Sequence, residues 1–236
     1  MKKYLHRLFE KAVQLNHENI FHLLENNSDA KFLDLGCDDG VLTMKLADKI
    51  GTKNVYGAET VDARIKLSEQ NGVKIKKINL NEKFDFPDDF FDVVHANQVI
   101  EHIYNSDNFL SEIHRVIKPK GFAIISTENA SSWCNIFASV VGWQIFSLTN
   151  FSGKKMGIGN PFSLHRDDKL ELESWQHVRI YNIRGLKEYF EAFGFQVENI
   201  KGAGYFPFPA IFGSFDRIHS HFITFKIRKC ETHIYN

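Results

Sequence analysis

The stretch Phe32-Leu33-Asp34-Leu35-Gly36-Cys37-Asp38-Asp39-Gly40 decides the fold. Its short apolar run reads as a buried strand, the glycine-flanked acidic segment as a turn, and Val41 to about Ile50 as the helix that follows. In an open α/β sheet such a strand delivers its turn to the carboxyl edge, where the two glycines let backbone approach a ligand closely. An adenosine-containing ligand is expected there.

Phosphate cradles also use glycine turns before helices. A pyrophosphate wants backbone N–H donors and no anion nearby, yet this turn carries Asp34, Asp38 and Asp39. The dinucleotide fingerprint G-x-G-x-x-G is also unmet, because Gly36 and Gly40 stand as G-x-x-x-G with Asp38 where the middle glycine belongs. A ligand bearing a cationic amine or a sulfonium matches the acids better. Next along the chain, Val55-Tyr56-Gly57-Ala58-Glu59 reads as a strand ending in an acid that can accept from both hydroxyls of a ribose. A third strand, Val73 to Ile78, ends at Asn79-Leu80-Asn81, where an amide can bond an adenine edge.

These segments, together with Phe84-Asp85-Phe86-Pro87-Asp88-Asp89-Phe90-Phe91-Asp92-Val93-Val94, Val99-Ile100-Glu101-His102 and the run from Leu110 to Gly121, resemble a class I S-adenosylmethionine-dependent methyltransferase. The resemblance is to the broad group acting on small molecules, quinones and glycans; it covers residues 30–128, and more loosely 176–201. It implies a Rossmann-like, doubly wound α/β sheet of seven strands, mostly parallel with an antiparallel last strand, plus a helical and loop cap. It implies S-adenosyl-L-methionine as cofactor and S-adenosyl-L-homocysteine as product. Gly36 would meet the methionine amino group, flanked by Cys37, Asp38 and Gly40, with Asp34 ordering the turn. Glu59 and the adjacent Thr60 would take the ribose, Asn79 and the Leu80 amide the adenine, and the Asn97 region the methionyl side. Two positions depart from the family pattern: Asp38 stands where glycine is usual, and Asn79 where Asp is frequent. Asp tolerates left-handed backbone better than most residues, and an amide still accepts through its carbonyl.

Methyl transfer from a sulfonium is an in-line attack on an activated carbon, so positioning the reactants can supply about 7–11 kcal/mol and no catalytic triad is required. A base is needed only for a hydroxyl or a protonated amine. His102 at the end of the fourth strand is the first candidate, with a loop-fixing hydrogen bond as its other reading; His177, before the expected strand Val178-Arg179-Ile180, is the second. No metal ligands are expected, and no C-x-x-C pair suggests zinc.

The chain has 236 residues, long enough for one well-buried core, and is expected to be a single domain over 1–236. Its 29 basic and 29 acidic residues cancel, so no global field recruits nucleic acid. Cys37, Cys134 and Cys230 are few and odd in number, which fits a reducing compartment; with no secretory apolar region at the start, a cytoplasmic location is the expectation.

Residues 1–29 carry apolar spacing for a helical segment, with a break near Asn16 as one option. Strands are expected near 31–35, 54–59, 73–78, 91–97 and 121–127, helices near 41–50, 62–71 and 105–117, and an antiparallel pair at Phe195–Lys201 and Phe222–Arg228. Pro119-Lys120-Gly121 supplies the turn into the fifth strand. Residues 130–175 and 202–220 are expected to form the cap. The apolar run 130–149 is interrupted by Ser132, Asn135, Ser139, Gly142 and Gln144, which argues against a membrane span and for a helix over the site, with peripheral membrane contact open. Asn150 to Glu173 reads as a long loop whose His165 and Arg166 could meet an anionic substrate; the aromatic stretch 204–212 either walls the acceptor pocket or closes the core. The leading function is methyl transfer to a small-molecule acceptor, a hydroxyl of a glycan, lipid precursor or quinone-like compound. The alternatives are a non-catalytic S-adenosylmethionine-binding module and an NAD(P)-dependent oxidoreductase. The oligomeric state is not legible in the sequence.

Overall fold

The computed structural model describes residues 2–166 and 176–230. Strands β1 (Lys31–Leu35), β2 (Asn54–Glu59), β3 (Lys74–Lys77), β4 (Phe91–Asn97), β5 (Ile117–Glu128), β6 (Phe195–Ala203) and β7 (Phe222–Lys229) form one sheet in the order β3-β2-β1-β4-β5-β7-β6. Pairings among β1 to β5 are parallel, and β7 runs antiparallel to both neighbours. The strand order reverses between β1 and β4, and a ligand crevice is expected outside the carboxyl ends at such a point.

Helices α2 (Val41–Ile50), α3 (Asp62–Gln70) and α4 (Ser106–Val116) alternate with the parallel strands. Both faces of β1 are buried: Phe32 packs with Leu46 and Ile50 of α2, whereas Leu33 and Leu35 pack on the opposite face with Phe109 and Ile113 of α4. The period-two alternation of a strand explains why apolar residues are needed on both sides of so short a segment. Helix α6 (Ile183–Ala192) joins the α4 face through Leu186 and Phe190.

Helix α1 (Lys2–Leu23) is unbroken. Asn16 sits within it, buried, and its side chain makes three hydrogen bonds into the sheet, donating to Asn97 and accepting from Ser126 and Thr224. A polar residue on the buried face therefore docks the helix across β4, β5 and β7 and does not interrupt it.

Pro119-Lys120-Gly121 lies inside the irregular start of β5. Phe91 pairs with Ile117 but Val93 with Phe122, so the intervening residues bulge, with Lys120 at φ +66°. The expected strand Val178-Arg179-Ile180 does not form. Its Val178 and Arg179 amides both donate to the Glu101 carbonyl, which leaves the segment pinned to the short helical turn Ile100–His102. Of the cap, α5 (Trp133–Val140), the short turn Phe146–Leu148 and α7 (Phe212–Phe215) are helical, and 151–166 is a chain of turns. The rest of the expected long loop, 167–173, lies outside the described residues.

Candidate cofactor cleft and its imidazole cluster

A cleft of about 310 Å³ opens at the carboxyl ends of β1, β2, β3 and β4, lined by Gly36, Asp38, Glu59, Asn79, Gln98 and His102 among others. Four neighbouring strand tips thus meet there, as the sheet order requires.

Gly36 has φ +71°, and a Cβ built on it would stand 2.9 Å from Val99 Cγ2. The position therefore excludes a side chain on both conformation and space. Asp38 takes the left-handed geometry expected of it, φ +50°, and its Oδ1 lies 3.0 Å from Arg64 Nε. Burial raises the Asp38 carboxyl above its ordinary range, and Arg64 opposes that rise. Asp34 is buried outside the cleft wall: its Oδ1 lies 2.7 Å from His95 Nδ1, and its Oδ2 accepts from the Thr43 hydroxyl at 2.6 Å. It fastens β1 to β4 and to α2 and so fixes where the turn begins.

Glu59 is aimed by backbone. Its Oε1 accepts from the amides of Thr60 at 2.6 Å and Val61 at 3.0 Å, and its Oε2 from the Asp38 amide at 3.3 Å. One carboxylate thus links the tips of β1 and β2 and faces the cleft. Asn79 accepts from the Asn81 amide at 3.1 Å and donates to Glu82 at 2.7 Å, so its amide is oriented by its own turn, with Leu80 beside it in the wall.

Cys37 and Gly40 support the turn from behind. Cys37 Sγ lies 3.7 Å from Ser68 Oγ, and burial, reinforced by Asp34, pushes its thiol up to about 12. A Cβ on Gly40 would come within 2.5 Å of Ser68 Oγ, so that glycine serves close packing of α2 on α3. The Asn97 side chain turns to Asn16 of α1, and its neighbour Gln98 lines the cleft. Gln98 holds φ +56°, kept there by its amide donating to the Ser126 carbonyl at 2.8 Å. Nothing in the sequence marks that geometry, since a non-glycine residue at positive φ is imposed by its tertiary partners.

His102 and His177 stand side by side, ring centroids 4.7 Å apart. His102 Nδ1 is 3.0 Å from the Gln176 carbonyl and His177 Nδ1 is 2.7 Å from the Ser147 carbonyl. A carbonyl only accepts, so each Nδ1 carries a proton and each Nε2 is left with its lone pair when the ring is neutral. Burial, then His177, pulls the His102 imidazole down to about 4. Glu101 is fully buried between them and the sheet; Oε2 accepts from Thr127 Oγ1 at 2.9 Å while Oε1 has no hydrogen-bond partner. Burial lifts this carboxyl to about 7. One ligand atom each from Glu101, His102 and His177 lie within 4.8 Å of one another, a set chemically able to hold a divalent cation although the sequence reading named no metal ligand. The spacing Glu101-His102 was legible, but its third member lies 75 residues on.

The profile of the methyltransferase domain family matches residues 3–200. The chain belongs to that family. Methyltransferases of this kind take S-adenosylmethionine as their methyl donor. The chain is 26% identical over 188 residues to a ubiquinone biosynthesis O-methyltransferase of Rickettsia bellii, covering 76% of this chain and 77% of that protein. It is 25% identical to the mitochondrial ubiquinone biosynthesis O-methyltransferase of Rattus norvegicus, covering 86% of this chain and 57% of that protein. It likewise spans 57% of the length of the Rickettsia prowazekii relative, at 29% identity over 60% of this chain. Among solved structures, the S-adenosylmethionine-dependent methyltransferase of Mesorhizobium loti superposes with a TM-score of 0.62 at 15% identity, over 94% of this chain and 100% of that one. A possible histamine N-methyltransferase of Thermotoga maritima gives 0.62 at 15%, over 95% and 94%. These two likenesses concern the fold. Among the described residues no helix is long and apolar enough to cross a membrane.

Proposed function

We propose that this chain transfers the methyl group of S-adenosylmethionine to a hydroxyl of an apolar small molecule of the quinone-precursor kind. The observation that carries the reading is the joint placement of Glu59, Gly36, Asn79 and His102 on one cleft. Glu59 accepts the ribose hydroxyls, the Gly36 turn receives the methionine end, and Asn79 with the Leu80 amide reads the adenine. The acceptor oxygen attacks the methyl carbon in line; the C–O bond forms as the C–S bond breaks, and sulfur keeps the electron pair in S-adenosylhomocysteine. The hydroxyl proton passes to Nε2 of His102, whose Nδ1–H bond to Gln176 holds the ring in the accepting tautomer. The names of the relatives support a quinone-precursor acceptor.

The Glu101, His102 and His177 set supports a second reading, in which it holds a divalent cation against the acceptor oxygen and acidifies it. Turnover of isotopically labelled S-adenosylmethionine with a panel of phenolic acceptors, with and without chelator, tests both. Transfer unaffected by chelator supports His102 as base; transfer abolished by chelator and restored by added cation supports the second reading; no transfer to any hydroxyl contradicts the proposal.

Exposed apolar residues of α5 and α7, Phe137, Val140, Phe212 and Phe215, lie on two segments joined by the stacking of Trp133 on His219. They support peripheral contact with lipid, from which an apolar acceptor would be drawn.

A further inference from the structure

Over the carboxyl end of β5 lies a second cavity, of about 120 Å³. Its walls include Leu5 and Phe9 of α1 with Phe146, Phe162 and Phe206, and it is also lined by Glu128 and His221. Glu128 Oε2 and His221 Nε2 are buried with no hydrogen-bond partner. The His221 side chain is 7% exposed, and its Nε2 is 4.0 Å from Glu128 Oε1, too far for a hydrogen bond between them. Buried polar atoms left unpaired beside an apolar cavity are rare in a folded protein, and each calls for an explanation.

Proton placement makes the two groups complementary to a ligand. Cys134 Sγ lies 3.7 Å from His221 Nδ1, and burial keeps that thiol protonated, its pKa pushed up to about 11. The Nε2–H tautomer of the neutral ring turns its proton toward the Glu128 carboxylate and leaves Nδ1 as an acceptor facing the Cys134 thiol. Burial lowers the His221 imidazole, which keeps it neutral. Burial would raise the Glu128 carboxyl, but the neighbouring imidazoles, His177 first, and a hydrogen bond from Ser147 outweigh this and hold it below the ordinary range. The cavity wall therefore carries one anionic acceptor and one N–H donor, with His221 Nε2 4.0 Å from Glu128 Oε1.

Size and location narrow the occupant. An apolar cavity of roughly 150 Å³ takes up one benzene, so a space somewhat smaller suits a single ring held closely. A short chain of neighbours links it to the cleft: Glu128 follows Thr127, whose hydroxyl donates to Glu101, and the next residue, His102, lines the cofactor cleft.

We propose that this cavity is the acceptor subsite, in which Glu128 accepts a hydrogen bond from a hydroxyl of a single-ring acceptor while His221 donates one to the adjacent ring oxygen. The inference rests on the methyl-transfer reading and adds the residues that select its acceptor. Both are positioning residues; the bonds made and broken are those given above.

Calorimetry on the full chain saturated with S-adenosylhomocysteine tests it, with catechol as the probe and phenol and 1,2-dimethoxybenzene as controls. Catechol is expected to bind at least tenfold more tightly than 1,2-dimethoxybenzene. Glu128→Gln and His221→Phe are each expected to weaken catechol at least tenfold while leaving S-adenosylhomocysteine affinity within twofold, which also reports that the variants fold. Phe9→Trp, which fills the cavity from α1, is expected to abolish catechol binding and decides the matter if either buried variant does not fold. Catechol binding that is absent, is unchanged in Glu128→Gln and Phe9→Trp, or is displaced by S-adenosylhomocysteine overturns the subsite. Failure of S-adenosylhomocysteine itself to bind overturns the cofactor reading instead, and is seen before any catechol is added.

Discussion

Asp34 Oδ1 lies 2.7 Å from His95 Nδ1, and the same carboxylate accepts from Thr43 at 2.6 Å, so one buried side chain joins β1, β4 and the first turn of α2. The cofactor turn hangs from this joint. Removing a buried charged partner strands its hydrogen-bond donors away from water, which costs about 3–5 kcal/mol. Asp34→Ala is expected to lower unfolding stability by about that much in urea titration, with Asp34→Asn intermediate. A loss below ~1 kcal/mol would show that the joint is not what fixes the turn.

Glu101 makes the fold sensitive to pH in a specific direction. Its folded pKa is about 7, above the ordinary 4.5, so the native state binds the proton more tightly than the unfolded chain. Stability from this group is fully present below pH 4.5 and declines as pH rises to about 7. Raising the carboxyl from 4.5 to about 7 corresponds to a decline of up to about 3 kcal/mol. Glu101→Gln is expected to flatten the decline between those pH values, read from denaturation midpoints. An identical slope in the variant would contradict the assignment.

His102 gives the kinetic counterpart. A ring whose pKa is near 4 is already neutral at pH 6, so the acid limb of kcat/KM is not expected at the ordinary imidazole value of about 6.5. His102→Ala is expected to lower kcat by about 10²–10⁴-fold, the range for a positioned base, with S-adenosylhomocysteine affinity kept. Unchanged turnover would remove His102 from the proton path.

The apolar faces of α5 and α7 predict sedimentation with lipid vesicles. Val140 and Phe215 are 80% and 83% exposed, so their replacement by Asp costs the fold little. Val140→Asp with Phe215→Asp is expected to reduce vesicle-bound protein several-fold while cofactor binding holds. Equal sedimentation would assign the patch to another role.

Much of this was legible in the chain because short-range patterns carried it. The apolar run before Gly36, the acid ending β2 and the amide after β3 are local signals, and each falls where the sheet order puts it. The positions that escaped reading depend on residues far apart in sequence. Asn97 reads as a strand-tip ligand until Asn16, on a helix 81 positions earlier, takes its side chain. Gln98 owes its backbone geometry to Ser126. Val178-Arg179-Ile180 has the composition of a strand, but the Glu101 carbonyl claims two of its amides. Glu128 and His221 come from the ends of neighbouring antiparallel strands and their loop, so no spacing in the sequence announces them.

The central claim is that the cleft at Gly36, Glu59 and Asn79 is an S-adenosylmethionine site. Calorimetric titration with S-adenosylhomocysteine, S-adenosylmethionine and NADH tests it most directly. The account predicts micromolar binding of both sulfur nucleosides, none of NADH, and a loss of about 1–3 kcal/mol in Glu59→Ala, the scale of hydrogen bonds to a charged group. Binding of NADH alone, or nucleoside binding indifferent to Glu59, would contradict it.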